Sequence, residues 1–301
     1  MKIFSRILLL ALCATMLFSC TPTLPPEGGE GNGGDPPADP SPKPLSPYVH
    51  LSFDDTERVF YNLKNKEYAS LWEEPFLAAL REAHESYGAV FSLYVWKDVL
   101  HGQSDRYASE WQAAADWLKI GLHSDGEGNF AEADFARGKS EWEHFAADLY
   151  AMTGSYDCMD RIPRLHNFAG SAEALRGMCE AEHGALGFLA ADDTRISYDL
   201  SAQENAVLLE SDHLYYNGRV YLPTDVRFEN HRGQSIYEVL CEKWGTTPAD
   251  TCFILFTHEY EVYDGETVNE SFSWIDEAAL YFDETGIPYA FPQEFSYEKN
   301  K

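Results

Sequence analysis

Several short apolar runs in this chain end in acidic or histidine side chains. Each run has the length of a β-strand, and the runs end at Asp54-Asp55, His123, Asp192-Asp193 and His258. Segments with helical spacing separate them, and strands that alternate with helices favour a parallel sheet. In a parallel β/α barrel the carboxyl ends of the strands meet on the face that holds the active site. The sequence therefore predicts an α/β architecture in which these side chains converge.

Apolar residues recur at the spacing of a helix in the segments 73–86, 111–118, 141–152, 172–182 and 273–285. Pro75 suits the first turn of the first of these helices, and Gly88 follows it as a stop. The segment 287–294, IPYAFPQE, is expected to be the last strand. The chain has no internal repeat and no phosphate-binding loop.

The first twenty residues predict export. Lys2 and Arg6 precede the apolar run ILLLALCATMLF, which is too short to span a bilayer comfortably and reads as a secretory signal. The run ends in Leu17-Phe18-Ser19-Cys20, which resembles the lipobox of bacterial lipoproteins, where the cysteine is lipidated. We therefore expect a signal peptide over residues 1–19 and a lipid-anchored location in a bacterial cell envelope, either periplasmic or outer-surface.

Residues 20–47 are expected to be the lipidated cysteine followed by a linker. This stretch holds nine of the fifteen prolines and has almost no apolar side chains to bury, so it cannot offset its own ordering entropy. The body is then expected to be one domain over residues 48–301. The formal net charge of −28 argues against nucleic-acid binding and against contact with a membrane except through the lipid.

Four cysteines remain in the body, at Cys158, Cys179, Cys241 and Cys252. None has the close paired spacing of a structural zinc site. An exported chain meets an oxidising compartment, so we expect at least one disulfide among them, with buried thiols as the alternative.

The order of the segments LSFDDT, IGLHS, RLHNFAGS and LFTHE resembles the NodB-homology polysaccharide deacetylases. The resemblance extends from Tyr48 to about Phe295. It implies an irregular β/α barrel and a hydrolase that removes acetyl groups from an N- or O-acetylated glycan. It also implies a divalent metal ion, with Zn²⁺ as the first choice and Mn²⁺, Co²⁺ or Ni²⁺ as alternatives. The glycan is the expected partner, and the chain is expected to be a monomer.

The resemblance also assigns roles to residues. In SFDDT, Asp54 corresponds to the general base and Asp55 to a metal ligand. Arg164, in RLHNF, corresponds to the arginine that orients the base, and it can make a two-pronged contact with a carboxylate. His258, in FTHE, corresponds to the general acid, a role that suits an imidazole with a pKa near neutrality.

The second motif departs from the family, which places two metal-binding histidines four residues apart. His123 occupies the first position, but Glu127 occupies the second. A carboxylate can bind Zn²⁺ or a harder metal, so we predict a metal site of Asp55, His123 and Glu127. Asp125 competes with Glu127 for this role.

Two further residues are assigned to substrate binding: His166 and Asp193. A buried histidine bonded to the backbone explains His166 equally well, and Asp192 remains an alternative to Asp193. In LPTDVRFE, Asp225, Arg227 and Glu229 alternate along a strand pattern, and surface salt bridges are the favoured interpretation.

The missing second histidine supports an alternative function. The chain could be a surface lipoprotein that keeps the barrel and binds glycan with weak hydrolysis or none. Another metal-dependent hydrolase on the same barrel, acting on a different bond, is a third hypothesis.

Overall fold

A computed structural model describes residues 41–124 and 128–297. The expected signal peptide, Cys20 and the linker up to residue 40 lie outside these ranges, as do Asp125 and Glu127. Within them, no helix combines the length and apolar character needed to cross a membrane.

The β-strands of the described ranges are β1 (Lys43–Pro44), β2 (Tyr48–Asp54), β3 (Phe91–Trp96), β4 (Leu118–Ser124), β5 (Gly187–Leu189), β6 (Leu214–Tyr216), β7 (Arg219–Leu222), β8 (Val226–Arg227), β9 (Cys252–His258) and β10 (Phe295–Ser296). The α-helices are α1 (Arg58–Asn65), α2 (Pro75–Tyr87), α3 (Lys97–Leu100), α4 (Ala108–Ala113), α5 (Phe135–Thr153), α6 (Ala172–Cys179), α7 (Ala202–Leu209), α8 (Ile236–Trp244), α9 (Glu259–Val262) and α10 (Ser273–Thr285).

The central sheet is parallel, in the order β4-β3-β2-β9-β8. A second sheet pairs β5 with β7 in parallel and adds β6 through an antiparallel hairpin. Asn217 and Gly218 form the turn of this hairpin, and both have the positive φ angles that a tight two-residue hairpin requires.

Two irregular connections close the sheets into a barrel. The segment 159–164 bridges β4 and β5: Asp160 N–H donates to the Ile120 carbonyl, and Leu189 N–H donates to the Pro163 carbonyl. On the other side, β7 pairs with β5, and β8, only four residues further along the chain, pairs with β9. The β/α architecture predicted from the strand ends is therefore confirmed, with the irregular barrel that the resemblance implied.

Strand β2 shows how the barrel separates its two sides. Successive side chains of a strand point to opposite faces. Val49, Leu51 and Phe53 belong to the large apolar cluster that includes the helices. The alternate residues of the strand belong to the barrel interior, where Tyr48 packs with apolar side chains of neighbouring strands, and where polar groups lie below the strand end: His50, Ser52 and Asp54.

The helices form where their apolar periodicity predicted them, with shifted ends. The helix predicted over 273–285 is α10, and it ends at Gly286, whose left-handed backbone is a common helix stop. The helix predicted over 141–152 begins earlier, at Phe135, because the Asp134 side chain caps it by accepting the Arg137 N–H. The helix predicted over 111–118 is shorter, and Leu118 belongs to β4.

The strand predicted over 287–294 does not form. Tyr289 makes an isolated parallel bridge to Val49, and Pro292–Glu294 is a 3₁₀ turn. Pro288 and Pro292 have no N–H to donate to a ladder, which explains the failure. Only Phe295–Ser296, beyond the predicted segment, pairs as a strand.

The described chain contacts the barrel a few residues before Tyr48. Lys43–Pro44 pairs with Phe295–Ser296, and Leu45 packs on the apolar cluster around Tyr48 and Phe295. The end of the segment that composition assigns to the linker therefore contacts the barrel.

The predicted disulfide is wrong for this structure, because all four described cysteines are free thiols. Cys158 lies in the helix-side core and Cys252 in the barrel interior, so their sulfur atoms belong to different clusters. Cys179 and Cys241 are partly buried on α6 and α8.

Candidate active site

The predicted catalytic side chains meet at the carboxyl edge of the barrel. Strands β2 and β9 pair along their full length, and the register places Asp54 beside His258. Asp55 follows directly with a φ angle of 54°, in the left-handed region that non-glycine residues seldom adopt. Such backbone strain persists where the surrounding structure enforces it, and it is common at functional sites.

Asp54 is held by Arg164. The guanidinium Nη1 of Arg164 donates to Asp54 Oδ1 at 3.0 Å and to Ser52 Oγ at 2.9 Å, and Nη2 donates to Thr224 Oγ1. Arg164 is fully buried, and its guanidinium stacks 3.9 Å from the centre of the Phe256 ring. Arg164 thus contacts Asp54 through one nitrogen, not through the two-pronged contact that was predicted, because Nη2 bonds to Thr224 instead. It fixes the direction in which Asp54 points.

His258 is oriented by Glu229. The His258 ring donates from Nδ1 to Glu229 Oε1 at 2.5 Å, and its other nitrogen lies 4.0 Å from Asp55 Oδ2. Arg227 and Thr257 also donate to the Glu229 carboxylate. The surface role predicted for Glu229 is therefore wrong, because its side chain is only 7% exposed and supports His258.

The contact between Glu229 and His258 lowers the pKa of Glu229 and raises the pKa of His258. Burial alone would raise the pKa of Glu229, but the hydrogen bond and charge of His258, together with Arg227, lower it to about 2. Burial alone would lower the pKa of His258, but the hydrogen bond to Glu229 and the charges of Asp54 and Glu229 outweigh it and raise that pKa. His258 therefore keeps its proton to a higher pH than a free histidine.

Asp55, His123 and His166 bring three possible metal ligands together. Their donor atoms all lie within 4.8 Å of one another. His123 Nε2 is 3.4 Å from Asp55 Oδ1, and His166 Nδ1 is 3.2 Å from His123 Nε2 and 4.0 Å from Asp55 Oδ1. Two imidazole nitrogens and one carboxylate oxygen are the donor set of many catalytic zinc sites, so the side chains fit the divalent metal that the resemblance implied.

Trp96 was not predicted as part of this site. Its indole N–H donates to Asp55 Oδ1 at 2.9 Å, and its ring lies 5.2 Å from that of His166. On the opposite flank Tyr260 stacks on the His258 ring at 4.9 Å and is 45% exposed. Partly exposed aromatic rings thus border the carboxylates on two sides. Burial lowers the pKa of His166.

Among the described residues, Asp193 and its alternative Asp192 are not brought to this cluster. Asp193 is exposed and forms an ion pair with Arg195, and Asp192 accepts a hydrogen bond from Asn230. Glu127 lies outside the described residues, so its predicted metal role stays a prediction. His166 was assigned to substrate binding. In the structure it lies with Asp55 and His123 as a possible metal ligand.

A cleft of about 730 Å³ runs along helix α1, and its lining contains none of the side chains of the cluster described above. It begins at Glu57 and Arg58, just after Asp55, and follows helix α1 to Lys66. Tyr61 is the aromatic side chain of this lining, and it is 68% exposed. The other lining side chains are mostly polar.

No model of a protein family matches the sequence, and no curated protein matches it. Solved structures do. A protein from Mycobacterium smegmatis described as a polysaccharide deacetylase shares 11% identity and a TM-score of 0.50, over 87% of this chain and 96% of that one. A deacetylase solved with its substrate has 11% identity and a TM-score of 0.48, over 84% and 94% of the two chains.

A third match is a pseudoenzyme of carbohydrate esterase family 4 from Bacillus anthracis, with 11% identity and a TM-score of 0.47, over 86% of this chain and 68% of that one. At these identities the Mycobacterium smegmatis match establishes the fold and nothing finer. The fold agrees with the order of the motifs. The chain therefore has the irregular β/α-barrel fold of the polysaccharide deacetylases.

Proposed function

We propose that this protein is a metal-dependent hydrolase that removes acetyl groups from a glycan. The observation that carries the proposal is the convergence of two charged pairs around Asp55: Asp54 with Arg164, and His258 with Glu229. Asp54 contacts a buried arginine, whereas His258 contacts a buried carboxylate, so the two groups have different electrostatic environments. Different environments allow one site to hold both a general base and a general acid.

The side chains divide the work of hydrolysis. A divalent cation held through Asp55 and His123 would supply Lewis-acid chemistry, polarising an acetyl carbonyl and lowering the pKa of water. Asp54 would accept the proton that the attacking water loses. His258 would donate a proton to the amine or alcohol that leaves, and its raised pKa keeps that proton available to a higher pH than in a free histidine. The products are then acetate and the deacetylated sugar.

The surroundings of the site support a glycan as the substrate class. Trp96 and Tyr260 offer aromatic faces on two sides of the carboxylates. The cleft along α1, whose lining begins two residues after Asp55 in the sequence, carries an exposed tyrosine among amides and charged groups. Sugars stack on aromatic rings and exchange hydrogen bonds with such polar groups. The strongly acidic chain also favours a neutral or cationic substrate over an anionic one.

The test is acetate release from acetylated sugars, for example chito-oligosaccharides and acetylated xylan, after loading with Zn²⁺, Co²⁺ or Mn²⁺. We expect activity that a chelator removes and the metal restores. Asp54→Asn and His258→Ala should each lower kcat by about 100-fold or more, the usual contribution of a general base or acid. Glu238→Gln, an exposed change on α8, is the matched control and should leave kcat unchanged.

If the metal-loaded protein releases no acetate but binds the same oligosaccharides, the glycan-binding alternative replaces the hydrolase. If it neither binds glycans nor releases acetate, both are rejected.

We also propose that the chain is exported and anchored by a lipid on Cys20, with residues 21–40 as a linker. The signal-like run and the lipobox-like Leu17-Phe18-Ser19-Cys20 support this. Labelled fatty acid should be incorporated into the wild type and not into Cys20→Ser. Equal labelling of the two would reject the anchor.

A further inference from the structure

The chain lacks the second histidine of the motif that begins at His123, and Glu127 stands in its place. The geometry points to a different third ligand. We propose that Asp55, His123 and His166 hold the divalent metal ion, with His166 supplied by the turn that follows the segment 159–164. The inference rests on the proposed function and deepens it, since it says which side chains bind the cation and that Glu127 is not needed.

The donor atoms have the spacing of ligands around one ion. Metal–nitrogen and metal–oxygen bonds of about 2.0–2.1 Å in tetrahedral geometry separate two ligand atoms by roughly 3.3 Å. His123 Nε2 lies 3.4 Å from Asp55 Oδ1 and 3.2 Å from His166 Nδ1. The third distance, from His166 Nδ1 to Asp55 Oδ1, is 4.0 Å. Small side-chain adjustments close that gap.

The hydrogen bond on the far side of His123 fixes which nitrogen faces the site. Its Nδ1 lies 2.6 Å from the Arg164 carbonyl oxygen, which can only accept, so Nδ1 carries the hydrogen. In the neutral ring Nε2 then presents a lone pair toward Asp55 Oδ1. Two acceptors that face each other at this distance repel unless a proton or a cation lies between them. Bonding of the second nitrogen to a carbonyl is also the usual support of a metal-binding histidine.

The backbone aims His166 at the same point. Asn167 and Phe168, the next two residues, have φ angles of 58° and 54°, so the chain turns sharply after His166. Left-handed conformations at consecutive non-glycine residues are unfavourable and need support from their surroundings. The His166 ring is 27% exposed and meets the His123 ring edge-on. One side of the proposed site therefore remains open for water and substrate.

The ligand set predicts a metal preference. Asp55 brings one negative charge and the two imidazoles are neutral, whereas a set with Glu127 would bring two negative charges. A nitrogen-rich set of lower charge favours Zn²⁺ and Co²⁺ over the harder Mn²⁺. The histidines would also bind through different nitrogens, His123 through Nε2 and His166 through Nδ1.

The test measures metal binding rather than activity. Zn²⁺ affinity of the full chain would be measured by calorimetry with a competing chelator for wild type, His123→Ala, His166→Ala and Glu127→Ala. His101→Ala, which removes an exposed histidine, is the control. We expect His123→Ala and His166→Ala to weaken binding by about 100-fold or more, beyond the 10–100-fold typical of supporting residues. Glu127→Ala and His101→Ala should match the wild type.

An unchanged Zn²⁺ affinity in His166→Ala with a weakened one in Glu127→Ala would overturn the inference and leave the proposed hydrolase intact. A wild type without measurable affinity would reject the cation altogether. Circular dichroism checks that each variant folds. If His166→Ala does not fold, X-ray absorption of the Zn²⁺-loaded wild type decides, since two imidazole ligands support the inference and one contradicts it.

Discussion

The role of Glu229 in orienting His258 could not be predicted from the sequence. The alternation in LPTDVRFE correctly places Glu229 and Arg227 on one side of the chain, and the structure joins them by a hydrogen bond. The pattern alone cannot tell which side faces the site. That depends on the pairing of β8 with β9, which brings Glu229 beneath His258 from 29 residues away. Asp54 and His258 could be predicted because the strand that carries each one also positions it.

Glu229→Gln should move the pH dependence of hydrolysis. The Glu229 charge raises the pKa of His258, so its removal lowers that pKa. Because His258 is proposed to act in its protonated form, activity falls as pH rises through this pKa. The basic limb of the pH–kcat profile should therefore shift to lower pH, and kcat should fall by about 10–100-fold.

The pH–kcat profile and the titration of the His258 ring by NMR check this expectation. Glu238→Gln should leave both unchanged. A profile in Glu229→Gln that falls in height without shifting along the pH axis would show that Glu229 has only a structural role.

At the scale of elements, helices α5 and α6 cross with unusually little space between them. A Cβ on Gly138 of α5 would lie 2.2 Å from the Ala174 carbonyl oxygen. A Cβ on Gly177 of α6 would lie 2.2 Å from the Phe135 carbonyl oxygen. In both places the neighbour is backbone, which cannot rotate aside. The two glycines are therefore what permits this packing.

Gly138→Ala should destabilise the protein although alanine is the better helix former. The helices must move apart, and overpacking of this kind costs about 1–3 kcal/mol of unfolding free energy. Urea denaturation measures it. His144→Ala, an exposed change on the same helix, should have little effect. An unchanged or increased stability of Gly138→Ala would contradict the crossing described here.

Helix α1 is capped by a residue that lies 200 positions away. Glu57, the residue before the helix, makes no capping bond with its side chain. Instead the buried carboxyl of Glu259 accepts the Arg58 and Val59 N–H groups at 3.0 and 2.9 Å. The cap ties α1, which follows Asp55, to the residue after His258. Burial raises the pKa of Glu259 to about 7, although the two N–H groups oppose the shift.

The raised pKa gives the stability of the protein a pH dependence of known sign. Folding favours the protonated Glu259, so its contribution is complete below the ordinary pKa of 4.5 and is lost as pH rises through about 7. We expect a smaller difference in unfolding free energy between pH 5 and pH 8 in Glu259→Gln than in wild type. Denaturation at both pH values tests this, with Glu238→Gln as control. Equal differences in all three proteins would refute it.

Sequence patterns predicted helices and strands best where apolar periodicity and terminating residues within the segment set its bounds. The bounds of α10 follow from its apolar period and from Gly286. The segment 159–164 has no such signal, because it joins the barrel through single hydrogen bonds to β4 and β5. His166 follows this irregular segment, so its approach to Asp55 and His123 could not be read from spacing. The absence of a second histidine after His123 was visible in the sequence, but the proximity of His166 to His123 was not.

Across the whole molecule, the described cysteines are free thiols, and this can be tested. Cys158 and Cys252 lie in separate apolar clusters, and no described cysteine is paired. Peptide mapping of protein from its native compartment, alkylated under denaturing conditions without reduction, should find Cys158, Cys179, Cys241 and Cys252 all alkylated. Recovery of any two as a linked peptide would contradict the structure.

The pairing of Lys43–Pro44 with Phe295–Ser296 places the start of the described chain at one end of the barrel. These strands lie at the amino end of β2, where the Tyr48 and Phe295 rings stack at 4.4 Å. Asp54 is at the other end of the same seven-residue strand, about 20 Å away by the rise of a strand. The first described residues therefore lie at the end of the barrel opposite the catalytic edge. They leave the edge at which Asp55 and His258 meet free of this segment.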